Sequence, residues 1–246
     1  MTAPVRDSLM DPQDNRRMFD QIASRNDLMN RLISVGMAGH WRKCAIKALM
    51  LRGPTHVLDV GCGTGEVALA LLRRHPEATV AGIDLSESML RLAIHKAQKA
   101  GLDSCVSFQP GDATAMPFPD ESFDGIVCSF CYRNIAQRAV ALGEMRRVLR
   151  PGGWLVILEL TIPTGALMRM LHGLYTDRII PLLGRCLSLG GAYRYLAQSI
   201  HAFPASPEVL KVLYQAGLDS AACRPLSGGV VTLFTARKAL SPRGQS

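Results

Sequence analysis

Long apolar runs are absent from this sequence, and aromatic residues make up only 6% of it. No run approaches the roughly 18 apolar residues that a membrane-spanning helix requires, so we expect no transmembrane segment. The first residues, MTAPVRDSLMDPQDNRR, are charged and polar, unlike the apolar centre of a signal peptide. Seven cysteines, an odd number, do not favour a disulfide framework. These absences favour a cytoplasmic protein with reduced thiols.

Acidic residues are in the minority, with 20 Asp and Glu against 28 Lys and Arg and a formal net charge of +8. Such an excess fits a nucleic acid, an anionic membrane surface or an acidic substrate, and equally a plain surplus of solvated cations. With 246 residues, 48% of them hydrophobic and 20% charged, the chain can bury a substantial core. This composition excludes a disordered protein and a coiled coil.

Helical and strand-like patterns alternate along most of the chain. Residues 18–50 carry apolar side chains at helical spacing. Beyond them, strands are predicted at HVLDV, TVAGIDL, CVSFQPGDA, SFDGIVCSF and WLVILEL, with helices that include SESMLRLAIHKAQKAG and AVALGEMRRVLRPGG. Ser86 is the expected N-cap of the first of these helices, and Gly101 follows its end. The alternation predicts a doubly wound, mostly parallel α/β sheet, closed by an antiparallel pair at SAACRPL and GGVVTLFTAR.

A glycine-rich loop between the first predicted strand and a helix is the strongest functional signal. The segment VLDVGCGTG places Asp59 before the loop and glycines at 61, 63 and 65. Its spacing is G-x-G-x-G, whereas a dinucleotide loop has G-x-G-x-x-G and seats a pyrophosphate on the helix N-terminus. Glu66 stands at the sixth position, where a carboxylate would repel a pyrophosphate. A cationic ligand without phosphate, such as S-adenosylmethionine (SAM), therefore fits better than NAD.

Two further carboxylates follow the next strands. Asp84 ends the second predicted strand about 20 residues after the loop, where an acidic residue accepts hydrogen bonds from ribose hydroxyls. Asp112 follows the third strand and, with the backbone N–H of Ala113, is expected to bind the adenine ring. In a doubly wound sheet these positions line one crevice at the carboxyl ends of the strands.

Together these motifs resemble the class I SAM-dependent methyltransferases. The order VLDVGCGTG, IDLS, GDATAMPF, SFDGIVCSF and EMRRVLRPGGWLVILE matches that class over residues 55–160. The flanking segments MFDQIASRNDLMNRLISVGMAGHWRK, SFCYRNI, YRYLAQSIHAFP and LSGGVVTLFTARK resemble the ubiquinone/menaquinone C-methyltransferase family. The resemblance implies a seven-stranded sheet with an antiparallel last strand. It also implies one domain over residues 1–246, with a helical cap (18–52), a SAM-binding core (55–160), an inserted helical lid (163–204) and closing elements (205–238).

The resemblance further implies site residues and a substrate. SAM contacts are carried over onto Thr64, Asp84, Asp112, Ala113 and Ser129, beside Asp59 and the loop glycines Gly61, Gly63 and Gly65. The Arg133–Asn134 pair is expected to be catalytic, with the guanidinium stabilising a phenolate or positioning a water, since it is too basic to accept the proton. Tyr193 and Tyr195 are expected beside a polyprenylated quinol that is methylated at a ring carbon. The histidines at 40, 172 and 201 are alternative bases, and Glu159 is expected near the crevice.

Several alternatives stay open at this point. The quinol can be a benzoquinol or a naphthoquinol, and a sterol-like or polyketide-like acceptor is a second possibility. A nucleic-acid substrate is disfavoured because no N-P-P-[YF] tetrad follows the fourth strand, where CSFCYRN stands. Cys128-x-x-Cys131 lacks partners for a zinc site, so we expect no metal. The basic residues at 169, 172, 178, 185 and 194 lie among long apolar ones. This predicts peripheral docking on the inner face of the membrane, and a homodimer is also considered.

Overall fold

The computed structural model describes residues 11–23, 26–182 and 190–240, and a seven-stranded sheet lies at its centre. The strands are β1 His56–Val60, β2 Thr79–Asp84, β3 Val106–Pro110, β4 Phe123–Ser129, β5 Leu149–Leu160, β6 Leu218–Leu226 and β7 Val231–Lys238. Their order is β3-β2-β1-β4-β5-β7-β6. The first five strands pair in parallel, and β7 runs antiparallel to both β5 and β6. The predicted mostly parallel sheet with an antiparallel last strand is confirmed.

Helices cover both faces of this sheet. They are α1 Pro12–Ile22, α2 Asn26–Ile33, α3 Ala38–Met50, α4 Glu66–Leu72, α5 Glu87–Ala100, α6 Arg138–Val148, α7 Ala166–Leu174, α8 Gly190–Ala202 and α9 Ser206–Gln215. A 3₁₀ turn spans Tyr132–Asn134, and a π-helical turn, Tyr175–Ile179, continues α7. The described helices α7 and α8 fall within the predicted lid. Within the described ranges, none of the helices is both long and apolar enough to cross a bilayer.

Alternate side chains of each central strand pack in opposite layers. Val57 and Val127 pack with α3 and α4, whereas Leu58 and Ile126 pack with α6 and α9. All four are fully buried. This two-sided burial explains why the strands are continuous apolar runs rather than alternating ones.

The helix ends follow local capping rules. Ser86 Oγ accepts a hydrogen bond from Met89 N at 3.2 Å, and Gly101 ends α5 at φ 65°, as predicted. Helix α1 begins at Pro12, before the helical pattern that the sequence shows from residue 18, and Asp11 caps it by accepting a hydrogen bond from Gln13 N.

One predicted helix end was wrong. We expected a helix that ends in Pro151-Gly152-Gly153 and a strand that begins at Trp154, but α6 ends at Val148 and β5 already begins at Leu149. Leu149 is already extended, with ψ 133°, since a nearby proline disfavours helical backbone before it. Gly152 has φ 81°, and the register between β4 and β5 shifts at this point.

The strand order reverses beside β1. From β1 the chain first moves outward to β2 and β3, and then returns to β4 on the other side of β1. In open α/β sheets, ligands bind outside the carboxyl ends of the strands at such a switch point. The glycine loop follows β1 and lies at this point.

Candidate active site

The loop after β1 is held open by three left-handed glycines. Gly61, Gly63 and Gly65 have φ values of 67°, 53° and 77°. The backbone N–H groups of residues 61 and 62 both donate to Ile83 O, which ties the loop to the end of β2. A Cβ on Gly61 would lie 2.1 Å from Cys131 Sγ, so this position also requires a glycine for close packing.

A cavity of about 250 Å³ lies above this loop, at the carboxyl ends of the central strands. Most of the residues expected from the sequence to bind SAM or to act in catalysis line it: Asp59, Gly61, Gly63, Thr64, Asp84, Asp112, Ala113, Ser129, Arg133 and Asn134. Gly65 is not part of the lining; it packs against Phe108, whose Cζ would meet an added Cβ at 2.9 Å. Tyr193 and Tyr195 are also outside the lining.

Each carboxylate has a defined role in shaping the cavity. Asp84 Oδ2 accepts from Gly63 N at 2.8 Å and Oδ1 accepts from Ser86 N at 2.9 Å, which fixes the loop against β2. Asp112 Oδ1 accepts from the N and Oγ1 of Thr114, both at 2.8 Å, and so forms a turn after β3. Burial raises the pKa of Asp84.

Asp59 is the most perturbed of these carboxylates. Its Oδ2 accepts from Ala68 N at 3.2 Å, whereas Oδ1 is buried and has no partner among the described residues. Burial raises the pKa of Asp59 to about 7, and the neighbouring charge of Asp84 raises it further, against the Ala68 hydrogen bond. A buried carboxylate oxygen without a donor is a site that a cationic N–H donor can satisfy.

The cavity therefore fits SAM. Two buried oxygens of lining residues, Asp59 Oδ1 and Ser129 Oγ, have no hydrogen-bond partner among the residues that the structure describes. Glu66 begins α4 and lines the cavity as well, so the helix N-terminus presents a carboxylate where a phosphate would otherwise bind. A ligand with an ammonium and a sulfonium group matches a wall that carries the carboxylates of Asp59, Glu66, Asp84 and Asp112.

A cluster of polar side chains bonds the helical cap to the glycine loop. The sequence pattern did not predict this cluster. Thr64 Oγ1 donates to Asp27 Oδ1 at 2.7 Å, and Lys96 Nζ donates to Asp27 Oδ2 and, at 2.7 Å, to Glu66 Oε1. Arg42 lies 4.0 Å from the other Glu66 oxygen. These partners come from α2, α3, α4 and α5, so their meeting depends on tertiary folding. The cap thus forms part of the cavity wall.

Arg133 is a buried residue of the cavity wall, and several hydrogen bonds hold its side chain. Its Nη1 donates to Glu159 Oε1 at 2.7 Å and to Phe130 O at 2.8 Å, and its Nε donates to Ser199 Oγ at 3.2 Å. The second Glu159 oxygen accepts from Arg133 N at 3.0 Å. Glu159 is fully buried. Among the residues that the structure describes, Nη2 has no hydrogen-bond partner, and it is the remaining donor arm of a guanidinium at the cavity wall.

The two tyrosines occupy different places. Tyr195 Oη donates to Asn134 Oδ1 at 3.2 Å, which links α8 to the turn that carries Arg133. Tyr193 is fully buried in a cluster of cap, core and lid residues, together with Ile22, Met89 and Ile180. Its hydroxyl has no partner in the described part of the chain, and burial raises its pKa.

The alternative bases lie away from the cavity. His172 is the buried residue of α7, and desolvation lowers its pKa. His201 Nε2 is 2.9 Å from Asp177 Oδ1. His40 is exposed on α3. None of the three lines the cavity.

The cysteines at the site are packed thiols. Cys62 and Cys131 line the cavity, and Cys128 is fully buried behind them. Burial raises the pKa of Cys62, and a hydrogen bond with Cys131 together with burial raises that of Cys128, so both thiols stay protonated. Over the described ranges, no group of three His, Cys, Asp or Glu side chains is placed to hold a metal ion.

The strand order and the acidic glycine-loop cavity together define a class I SAM-dependent methyltransferase. A solved SAM-dependent methyltransferase from Aquifex aeolicus has the same fold, with a TM-score of 0.59 and 22% identity, over 78% of this chain and 88% of that one. SAM is the cofactor.

Residues 9–238 match the model of the ubiE/COQ5 methyltransferase family, and the chain belongs to that family. It is 41% identical to the ubiquinone/menaquinone biosynthesis C-methyltransferase UbiE of Syntrophotalea carbinolica, over 93% of this chain and 95% of the relative. It is 43% identical to the demethylmenaquinone methyltransferase of Thermus thermophilus, over 88% and 97% respectively.

Proposed function

We propose that this enzyme methylates a ring carbon of a polyprenylated quinol in respiratory quinone biosynthesis. The names of its relatives, demethylmenaquinone methyltransferase and UbiE, support this substrate class. The observation that carries the proposal is Arg133. It is a buried guanidinium at the cavity wall with one donor arm free among the described residues, which suits an oxygen that becomes negative during the reaction.

SAM supplies an electrophilic methyl group when bound. The proposed contacts are Asp59 and Ser129 for its polar amino-acid end, the backbone of Gly61, Gly63 and Thr64, Asp84 for the ribose, and Asp112 with Ala113 for the adenine. Gly65 supports them indirectly, because it permits the turn into α4. The unpartnered oxygens of Asp59 and Ser129 favour this orientation.

The acceptor carbon must become nucleophilic. Loss of the proton from a neighbouring phenol puts negative charge on the ring oxygen and electron density on the ortho carbon. A phenol with a pKa near 10 needs only modest help from a nearby donor. We assign that help to Arg133 Nη2, which stabilises the phenolate oxygen but does not itself take the proton.

Asn134 and Tyr195 complete this part of the proposal. Asn134 Oδ1 already accepts from Tyr195 Oη, so the amide is oriented by α8. Asn134 then positions the quinol hydroxyl, or the water that accepts its proton. Tyr193 lies outside the cavity lining, buried between cap and lid residues, so we assign it a packing role behind the substrate region.

The location follows from the substrate's tail. Polyprenylated quinols partition into the bilayer, so we propose that the enzyme works as a peripheral protein on the cytoplasmic side of the membrane. A homodimer stays a prediction, to be tested by sedimentation equilibrium.

Replacement of Arg133 tests the mechanism. Arg133→Ala should lower kcat about 10²-fold or more, with the Kd for SAM within about twofold of wild type. Because this change leaves Glu159 buried without its partner, the matched control is the double variant Arg133→Met/Glu159→Gln, which removes both charges and keeps the fold. It should be as inactive as Arg133→Ala while binding SAM. Wild-type turnover in either folded variant would remove Arg133 from catalysis.

A further inference from the structure

The outward face of α7 is apolar, which is the reverse of an ordinary surface helix. Leu167, Met170, Leu171 and Leu174 follow the i, i+3, i+4, i+7 spacing of one helix face, and they are 49–68% exposed. The one buried residue of this helix is the polar His172. We call these four residues the lid stripe. A surface helix normally turns such a stripe toward the core, so here it is left for another surface to cover.

The cap adds a second set of exposed apolar residues, which we call the cap patch: Leu28, Leu32, Val35 and Met37. Val35 is 76% exposed and has φ 49°, an uncommon conformation for a β-branched residue. Helix α2 carries Asn30, which lines the cavity, and Leu28 and Leu32, which are exposed. This helix therefore turns a polar side chain inward and two apolar ones outward.

Two contacts bring the lid stripe and the cap patch together. Tyr175 Oη, directly after α7, donates to Ile33 O at the end of α2 at 2.9 Å. The turn at residues 227–229 lies against both α3 and α7. Ser227 Oγ accepts from Trp41 Nε1 of α3 at 2.8 Å, and a Cβ on Gly228 would lie 2.6 Å from Met168 Cε of α7. The two sets therefore belong to one side of the molecule.

The segments that carry the lid stripe and the cap patch have more cations than anions. No Asp or Glu occurs between Leu28 and Leu58, and only Asp177 occurs between Leu160 and Pro207. Asp177 is paired with His201, and Asp27, which precedes Leu28 on α2, is paired with Lys96. Arg31, Lys43 and Arg178 are exposed, whereas Arg185 lies outside the described residues. An apolar face with more cations than anions complements an anionic bilayer, because cations near its surface are attracted to the negatively charged lipids.

We propose that the lid stripe and the cap patch together form the face by which this enzyme docks on an anionic lipid bilayer. A second copy of the chain fits the same face less well, since a symmetric dimer would set its cations against their own copies. The inference rests on the proposed function in one respect: a substrate held in the bilayer makes docking useful. The cap patch is a part of this face that the lid sequence alone did not indicate.

Vesicle binding tests the docking face independently of quinol chemistry. Purified full-length enzyme is co-sedimented at low salt with phosphatidylcholine vesicles that contain or lack phosphatidylglycerol. The variants are Leu167→Glu/Leu171→Glu in the lid stripe and Val35→Glu in the cap patch. The matched control for Val35→Glu is Val140→Glu, which also puts one negative charge on an exposed apolar position, in α6. Thermal melting verifies that each variant is folded.

Wild type and Val140→Glu should bind the anionic vesicles and bind pure phosphatidylcholine much less. The lid-stripe double variant should bind about tenfold more weakly or worse, and Val35→Glu should also bind more weakly. All variants should keep turnover on a short-tailed, water-soluble quinol. Absence of wild-type binding, or full binding by both face variants, would overturn the inference. The inference would also be overturned if the wild type formed a concentration-dependent dimer and the face variants were monomeric but still bound vesicles as wild type does. No turnover of the soluble quinol by a vesicle-binding enzyme would instead count against the proposed function alone.

Discussion

We expect Asp59 to make SAM binding depend on pH close to neutrality, because we propose that its carboxylate contacts the ammonium group of SAM. In the free protein its buried carboxyl has a pKa of about 7, raised from 3.8, so roughly half of the molecules are protonated at pH 7. The cationic ammonium of SAM favours the ionised carboxylate. Binding below pH 7 must therefore release a proton, and the affinity for SAM should rise with pH.

The size of the effect follows from the ionised fraction. With a pKa of about 7, that fraction rises roughly eightfold between pH 6 and pH 7.5, so Kd should fall by about the same factor. Asp59→Asn keeps an oxygen for the Ala68 hydrogen bond but removes the titration. Its Kd for SAM should be higher than that of wild type at pH 7.5 and should change little between pH 6 and pH 7.5.

The free protein should show the opposite trend in stability. A carboxyl whose pKa is raised on folding favours the protonated form, so the free energy of unfolding should fall as the pH rises from about 4 to 7. Asp59 alone contributes at most about 4 kcal/mol to this fall. Urea unfolding of wild type and Asp59→Asn across this range isolates the contribution.

Isothermal titration calorimetry in buffers of different ionisation enthalpy measures both Kd and proton release. Wild type should release a fraction of a proton near pH 6.5, and Asp59→Asn should release less. A Kd for wild type that is flat between pH 6 and 7.5, or an equal slope in Asp59→Asn, would refute the role given to this carboxylate.

Three further changes test the site's construction. Gly61→Ala should weaken SAM binding at least about tenfold, because its Cβ would overlap Cys131 Sγ at 2.1 Å. Adding Cys131→Ala should restore only part of the SAM affinity, since the φ of 67° at position 61 costs about 1–3 kcal/mol for alanine. Equal SAM affinity in Gly61→Ala would contradict this packing. Glu159→Gln should lower the free energy of unfolding in urea by about 3–5 kcal/mol, because it leaves Arg133 as an unpaired buried charge, and an unchanged midpoint would contradict the buried pair. Ser86→Ala should cost about 1–2 kcal/mol in the same assay through loss of the α5 cap, with no effect expected if the cap bond is absent.

Features that depend on local sequence were the ones predicted well. The glycine loop, Asp84 at the end of β2 and the cap and stop of α5 each follow from residues within a few positions of one another. The error at Pro151-Gly152-Gly153 arose because a helical pattern and a strand meet without a connecting loop, and only pairing with β4 shows where the strand begins.

Contacts between distant segments could not be read from the pattern. Arg133 was expected at the site, but its carboxylate partner Glu159 lies 26 positions away, and Tyr195 reaches Asn134 across 61. The cluster that joins Asp27 to Lys96 spans 69 positions. No periodicity encodes such pairs, since they depend on which strand ends and helices the fold brings together.

The most direct test of the account is the product of the reaction. Purified enzyme is incubated with SAM labelled in its methyl group and with demethylated naphthoquinol and benzoquinol acceptors, each reduced and in short-tailed form, and the products are identified by mass spectrometry. The account predicts label on a ring carbon of at least one quinol, absent with Arg133→Ala. Labelled oxygen in place of carbon, or SAM binding without methylation of either quinol, would contradict it.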